Sequence, residues 1–217
     1  MFTAYIPIKL NSERIKNKNF LNINEKPLFV YVIENLLDID LIDEIFINYD
    51  TEEVKDRISE HFEDIKFVKR LDNMMNPKES VNKLIASDLD NIKNEFIIQT
   101  HVTNPMVSKN TFVDALNCYL KNKKALFSVT EHRSRFYSDE LKEVNHDMKT
   151  LLPTQELNPI YEENSNFYVF SKNQFLHNDL NRISKNSEIF KVSKFESFDI
   201  DTYEDLELVR LLISSKH

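Results

Sequence analysis

The chain has 217 residues, 41% of them hydrophobic and 29% charged, which suits one soluble domain with a core large enough to need no staples. Its formal net charge of −8 argues against nucleic acid as a partner, and neither a signal-peptide pattern nor an apolar run near the roughly 20 residues of a membrane span is present. Glycine is absent, which excludes a Walker loop and a GxGxxG fingerprint; any phosphate cradle must use side chains and helix N-termini, with Asn and Asp in left-handed turns.

Residues 2–8 read as a buried strand that breaks into a loop carrying Lys9, Asn11, Ser12, Arg14, Lys16, Lys18 and Asn19. From Lys9 to Lys26 five basic residues stand against two acidic ones, in a protein that is acidic as a whole. Open α/β sheets place ligands where strands end. Lys is a compact phosphate charge, Arg grips phosphate oxygens bidentately, and Asn and Ser add neutral donors. The loop therefore reads as an anion site, with a nucleoside triphosphate as the expected anion and solvated surface as the bland alternative.

A helix over 27–37 follows, with proline in its first turn. Then come a strand over 42–48, a helix from 51 to about 62 and a strand over 65–68. An irregular stretch leads to a helix near 79–91, a strand over 95–100, a helix over 109–121 and a strand over 125–130. The one cysteine, Cys118, sits on the amphipathic helix at 109–121 as a structural thiol, so no internal disulfide is possible and a reducing cytoplasm is the economical setting. Residues 131–159 are polar and too long for a plain connection, an excursion of the kind used for dimerisation or substrate contact. Strands over 165–171, 189–194 and 197–200 and a closing helix over 202–214 complete the chain. This alternation predicts an α/β fold over 1–217, a single domain with a mostly parallel central sheet flanked by helices.

Three further patterns carry chemistry. If Asp199 and Asp201 end a strand, its period sets both carboxylates on one face, an arrangement that suits Mg2+ with water and phosphate oxygens. Asp201 followed by Glu204 also matches a capping box, which accounts for Asp201 and leaves Asp199 unexplained. Gln99-Thr100-His101-Val102-Thr103-Asn104-Pro105 puts polar side chains at the mouth of the fourth strand; turn chemistry covers Thr103 and Asn104 but not His101. The stretch 153–169, with Gln155, Tyr161 and Asn164, is a candidate substrate wall.

These segments resemble the acylneuraminate cytidylyltransferase family, the CMP-sialic acid synthetases, which are related to the CMP-Kdo synthetases. The likeness runs in family order across nearly the whole chain. It covers Ile6-Pro7-Ile8-Lys9-Leu10-Asn11-Ser12-Glu13-Arg14, Lys18-Asn19, Lys26-Pro27-Leu28, Asn48-Tyr49-Asp50 and Arg70 to Ser80. It continues through Thr103-Asn104-Pro105, Gln155-Glu156-Leu157, Glu163-Asn164 and Asp199-Ile200-Asp201. The resemblance implies a Rossmann-like nucleotide-diphospho-sugar transferase fold. It also implies transfer of CMP from CTP to the anomeric hydroxyl of an acidic nonulosonic sugar, with release of pyrophosphate.

Carried over by position, Lys9, Asn11, Ser12, Arg14, Lys18 and Asn19 would lie along the triphosphate, with Arg70 and Ser80 at cytosine and ribose. His101, Thr103, Asn104, Gln155, Tyr161 and Asn164 would face the sugar or the reacting phosphate, and Asp199 and Asp201 would hold Mg2+. Arg14, Lys18 and His101 are the expected catalytic residues, His101 as a base only if it reaches hydrogen-bond distance. A homodimer with 131–159 as its interface is implied as well. The chain departs from the family at Ile8-Lys9 for Ala-Arg, at Glu13 within Ser-Lys-Arg, at Glu25 for a glycine, at His101 for a common Gln and at Ser165 for the glycine of Glu-Asn-Gly. Two rival expectations stand: cytidylylation of Kdo, a phosphonate or another acidic acceptor, and a catalytically silent nucleotide-sugar binder.

Overall fold

The computed structural model describes residues 1–76 and 78–215. The first strand, β1 (Phe2–Ile8), is buried along almost its whole length. Phe2, Ala4, Ile6 and Ile8 enter one apolar layer and Tyr5 the other, as the alternation of side chains across a strand requires. A hairpin of β2 (Asn22–Ile23) and β3 (Lys26–Pro27) leads into α1 (Leu28–Leu37). Then follow β4 (Ile42–Tyr49), α2 (Glu52–Ser59), β5 (Lys66–Lys69), α3 (Val81–Asp88), β6 (Phe96–Thr100) and α4 (Lys109–Asn122). The remainder is β7 (Leu126–His132), β8 (Ile160–Ser171), α5 (Lys172–His177), β9 (Glu188–Lys191) and α6 (Tyr203–Ser214).

Seven strands form one sheet in the order β5-β4-β1-β6-β8-β7-β9. Only β8 runs against its neighbours, so the sheet is mostly parallel, as the alternation of elements predicts. Between β7 and β8 the ladder breaks. Val129 faces Glu163 whereas Phe127 faces Tyr168, so residues 164–167 bulge opposite Ser128. The Ser128 hydroxyl oxygen fills the gap by accepting the Phe167 N–H at 3.0 Å.

A third apolar cluster brings the two ends of the chain together. Ile15, Ile23 and Leu28 from the first loop and helix pack with Ile200, Leu206, Val209 and Ile213. Each such side chain contributes about 1.5–3 kcal/mol on full burial. The loop after β1 is thereby fastened to the segment before α6.

Several expectations are corrected. Residues 197–200 form no strand and join no sheet; the Ile200 N–H donates instead to the Thr103 carbonyl at 2.9 Å. The helix expected over 79–91 is confined to α3, and β8 begins at Ile160 rather than at 165. The β2–β3 hairpin and α5 were not expected. Without glycine, positive φ falls on Asn17, Asn24 and Asp179 as anticipated, but also on Lys123, Leu141, Ser165 and Leu180. Residues 133–159 form an arm with isolated bridges at Tyr137–Glu143 and Asp147–Thr150, exposing Leu141, Val144, Met148 and Leu151. Among the described residues no helix is long and apolar enough to cross a membrane.

Candidate active site

The loop after β1 is built on neutral and acidic anchors. Asp50, just past β4, accepts the Leu10 N–H on both carboxylate oxygens at 3.0 and 3.1 Å. Asn19 Nδ2 donates to the Lys9 carbonyl at 2.9 Å, and Asn17, left-handed at φ 54°, starts a 3₁₀ turn over Lys18–Phe20. Buried Lys18 donates to the Ile200 carbonyl and, at 3.1 Å, to one oxygen of Asp201. Arg14 Nη1 meets the other oxygen at 2.9 Å. A buried ammonium persists only with such partners. The exposed Arg14 pair adds little stability by itself.

Asp201 is free for this role because it does not cap α6. Thr202 does: its hydroxyl oxygen accepts the Asp205 N–H at 3.2 Å, and the Asp205 carboxylate accepts the Thr202 N–H at 2.7 Å. The capping box lies one residue beyond the pair Asp201–Glu204 that the sequence suggests.

These groups line a cleft of about 380 Å³ at the carboxyl ends of β1 and β6, the side on which open parallel sheets bind ligands. Asp199 enters it half-buried, with Oδ1 fully covered and without a hydrogen-bond partner. Burial pushes its carboxyl up, the Thr103 hydroxyl draws it back, and the Asp201 charge pushes it up further. An orphaned carboxylate oxygen beside a second carboxylate fits Mg2+, which takes one or two protein carboxylates and completes its shell with water and phosphate. Among the described residues no three His, Cys, Asp or Glu side chains gather into a cage, so a cation here would rest on these two.

Arg70 reaches the cleft from the end of β5 and is held from behind. Its Nε donates to Asn48 Oδ1 at 2.9 Å, and Asn48 Nδ2 donates to Asp88 Oδ2 at 2.8 Å. That oxygen also accepts the Tyr5 hydroxyl at 2.8 Å, and all four residues are buried. Burial raises the Asp88 carboxyl and the Tyr5 hydroxyl and lowers Arg70.

The opposite wall offers the cleft only uncharged groups, His101, Val102, Thr103 and Ser165. His101 follows β6, with Nε2 3.0 Å from Gln99 Nε2. Burial, then the charges of Arg182 and Lys18, lower its pKa from 6.5 to about 4, so the ring is uncharged near pH 7 and a weak base. Arg182, from the loop after α5, binds Gln99 Oε1, donates from Nε to Asn82 Oδ1 at 2.8 Å and lies 4.0 Å from the Tyr168 ring centre. The bulge in β8 turns Ser165 into the cleft at φ 56°.

Residues 3–217 match the family model described as Cytidylyltransferase. The chain belongs to the cytidylyltransferase family. A pseudaminic acid cytidylyltransferase of Campylobacter jejuni is 29% identical over 98% of this chain and 96% of its own length. An N-acylneuraminate cytidylyltransferase of Escherichia coli is 25% identical over 99% of this chain and 52% of that protein. A solved CMP:2-keto-3-deoxy-manno-octonic acid synthetase complexed with CTP has a TM-score of 0.75 over 100% of this chain and 99% of its own, at 14% identity, a likeness of fold. The family resemblance and the nucleotide-diphospho-sugar transferase fold read from the motifs both hold, and the protein is a CTP-dependent nucleotidyltransferase by family.

Of the residues expected at the site of this cytidylyltransferase, Lys9, Ser12, Arg14, Lys18, Asn19, Arg70, His101, Thr103, Asp199 and Asp201 come together on the cleft. Asn11 is exposed and off its walls. Ser80 caps α3, accepting the Asn82 N–H at 3.2 Å, between the cleft-lining Glu79 and Val81. Asn104 and Asn164 lie behind the wall, donating to Asn166 Oδ1 at 3.0 Å and to Thr130 Oγ1 at 3.1 Å. Gln155 and Tyr161 stand apart and exposed: the Gln155 carbonyl accepts from Arg133 at 3.2 Å, and Lys191 sits 5.4 Å from the Tyr161 ring centre. The stretch 153–169 contributes Ser165 alone to this cleft. Unread in the sequence were Arg182, which lies in a polar segment without periodicity, and Asp88. For Asp88 a signal existed: a carboxylate one turn beyond Leu84 and Ile85, on the apolar face of its helix.

Proposed function

We propose that the protein transfers CMP from CTP to the anomeric hydroxyl of a nonulosonic acid, an acidic nine-carbon sugar of the pseudaminic or sialic type. The hydroxyl oxygen gives up its proton to water and bonds to the α-phosphorus in line as the bond to pyrophosphate breaks. The observation that carries this reading is the meeting of Lys18 and Arg14 with Asp201, beside the orphaned oxygen of Asp199, in one cleft. Relatives named for pseudaminic acid and N-acylneuraminate, matched over nearly the whole chain, support the acceptor class.

In this reading Lys9, Ser12, Arg14, Lys18 and Asn19 bind and neutralise the triphosphate, and Arg70 with the capped turn at Ser80 faces the base and ribose. Thr103 and His101 face the acceptor. Such transfers depend on positioning and on charge neutralisation more than on covalent help from the protein. Asp199 and Asp201 would hold Mg2+, which when bound neutralises phosphate charge. The exposed apolar side chains of the arm support pairing with a second copy of the chain, and a monomer in sedimentation would remove that part. Burial holds the Cys118 thiol up and unreactive, in keeping with a reducing cytoplasm.

The test is an acceptor panel with CTP and Mg2+, read as pyrophosphate release. Release with pseudaminic or N-acetylneuraminic acid is expected. Release with Kdo alone, or with no acid offered, overturns the reading.

A further inference from the structure

We propose that Arg182, acting through Gln99, fixes His101 as the Nδ1–H tautomer, so that this wall offers the cleft a hydrogen-bond donor in place of a base. The consequence for turnover rests on the function proposed above; the tautomer is a property of the free protein.

A guanidinium has five N–H groups and no acceptor. Arg182 Nη1 contacts the Gln99 side-chain amide, so the amide oxygen must face it. That turns Gln99 Nε2 the other way, where the Thr100 carbonyl lies at 3.0 Å and His101 Nε2 at 3.0 Å. An amide nitrogen only donates, so His101 Nε2 must present its lone pair. In the neutral ring the proton then sits on Nδ1.

Arg182 is not free to turn away and release the amide. Its Nε is engaged by Asn82 and its plane covers Tyr168, whose hydroxyl donates to Glu163 at 2.5 Å and lies 3.2 Å from the Ser165 hydroxyl. Gln99 is fully buried in β6, two residues before His101. His101 lines the cleft, and its Nδ1 has no hydrogen-bond partner in the protein among the described residues. Burial, and after it the nearby charges of Arg182 and Lys18, oppose protonation, leaving one state of the ring near pH 7. Arg182 is thus a positioning residue that acts on the cleft through two intermediates.

The experiment is a long-range ¹H–¹⁵N correlation on the full chain with ¹⁵N-labelled histidine, His101 being assigned by its loss in His101→Gln. Wild type should show a protonated Nδ1 and an unprotonated Nε2. A protonated Nε2 overturns the proposal without need of any further variant. Arg182→Met releases the Gln99 amide, and the two nitrogen shifts should move toward tautomer-averaged values; an unchanged tautomer in the folded variant removes Arg182 from the relay. Gln99→Glu, which supplies an acceptor, should move the proton to Nε2, and its retention on Nδ1 also overturns the proposal. With CTP and the nonulosonic acid, Arg182→Met should raise the acceptor KM about tenfold, the worth of one hydrogen bond, and leave the CTP KM unchanged. Equal changes in both KM values would take His101 off the acceptor side. If wild type cytidylylates no nonulosonic acid, the proposed function fails while the spectra still decide the relay.

Discussion

The cleft has two walls held by different physics. On one, Lys18, Arg14 and Asp201 are partnered by opposite charge, and Asp201 keeps 41% of its side chain exposed, so a phosphate or a cation can exchange into the cluster. On the other, His101 meets the cleft as an uncharged ring, and Gln99 and Arg182 stand behind it in a line in which each donor orients the next group. Charge acts at a distance and tolerates movement. Orientation acts only through contact and needs burial to hold it. The comparison teaches that the ionic wall supplies strength and the neutral wall supplies selection.

The largest expected effect breaks the ionic wall. Lys18→Met keeps the bulk and removes the ammonium from a site where it neutralises developing charge. Turnover should fall about 10²–10³-fold, as for loss of one preorganised donor, with far-ultraviolet circular dichroism retained. A loss below tenfold would place the charge-neutralising work elsewhere. In the same series Asp199→Asn should raise the Mg2+ concentration needed for half-maximal rate, measured by titration at fixed CTP.

Next comes the support behind the two walls. Asp88→Ala strands the Tyr5 hydroxyl and the Asn48 amide and loosens Arg70. Chemical denaturation should show a loss of about 3 kcal/mol, the range for a buried charged partner removed alone. The CTP KM should rise while the acceptor KM stays put. A shift in the acceptor KM instead would assign Arg70 to the sugar.

The two walls also differ in how far the sequence disclosed them. The ionic wall was visible because its residues depart from the composition around them: a basic cluster after a strand, and two carboxylates near the chain's end. Their convergence, however, depends on Ile15 and Ile200 sharing an apolar cluster, a long-range packing that no local pattern reports. The same packing explains the misread strand at 197–200. Phe198 and Ile200 alternate with Asp199 as a strand would, yet the segment is held by the Thr103 carbonyl and by burial of Ile200. The helix cap slipped by one residue because Asp201–Glu204 and Thr202–Asp205 both fit the pattern. The cations on Asp201 decide between them. The neutral wall was nearly invisible: His101 stood out, but Arg182 is distant in sequence and lies in a loop.

A pH experiment sharpens the comparison, since only the neutral wall carries a group with an imidazole pKa displaced downward. Folded His101 titrates at about 4 and the unfolded ring at 6.5. Between those values the unfolded chain binds a proton that the folded chain refuses. The stability contribution is therefore present above pH 6.5 and is lost as pH falls toward 4, by roughly 2 kcal/mol once partial exposure is allowed for. Asp88 and Asp199, raised by burial, act with the opposite sign in acid, so the readout is the difference between wild type and His101→Gln in urea. That difference should shrink as pH falls through the window. The glutamine amide also keeps a neutral donor, so His101→Gln should retain turnover within about threefold, and a larger loss would restore a proton-transfer role to His101.

The smallest effect belongs to Ser165, where the neutral wall stores strain. A non-glycine residue in the left-handed region costs about 1–2 kcal/mol, and Ser165 sits there at φ 56° within the β8 bulge. Ser165→Gly relieves that cost, but it frees the unfolded chain and removes the hydroxyl that lies 3.2 Å from the Tyr168 oxygen. The net expectation is a gain of about 0.5 kcal/mol in unfolding free energy, read from a raised urea midpoint at unchanged m. Tyr168 retains Glu163 as its acceptor at 2.5 Å, so the plane under Arg182 should not move and the His101 tautomer should be unchanged. A destabilised variant would mean that the serine hydroxyl outweighs the backbone strain. Were the His101 shifts to move as well, the orienting line would have to extend back through Tyr168 to the bulge, and the neutral wall would be one connected unit rather than a relay of three.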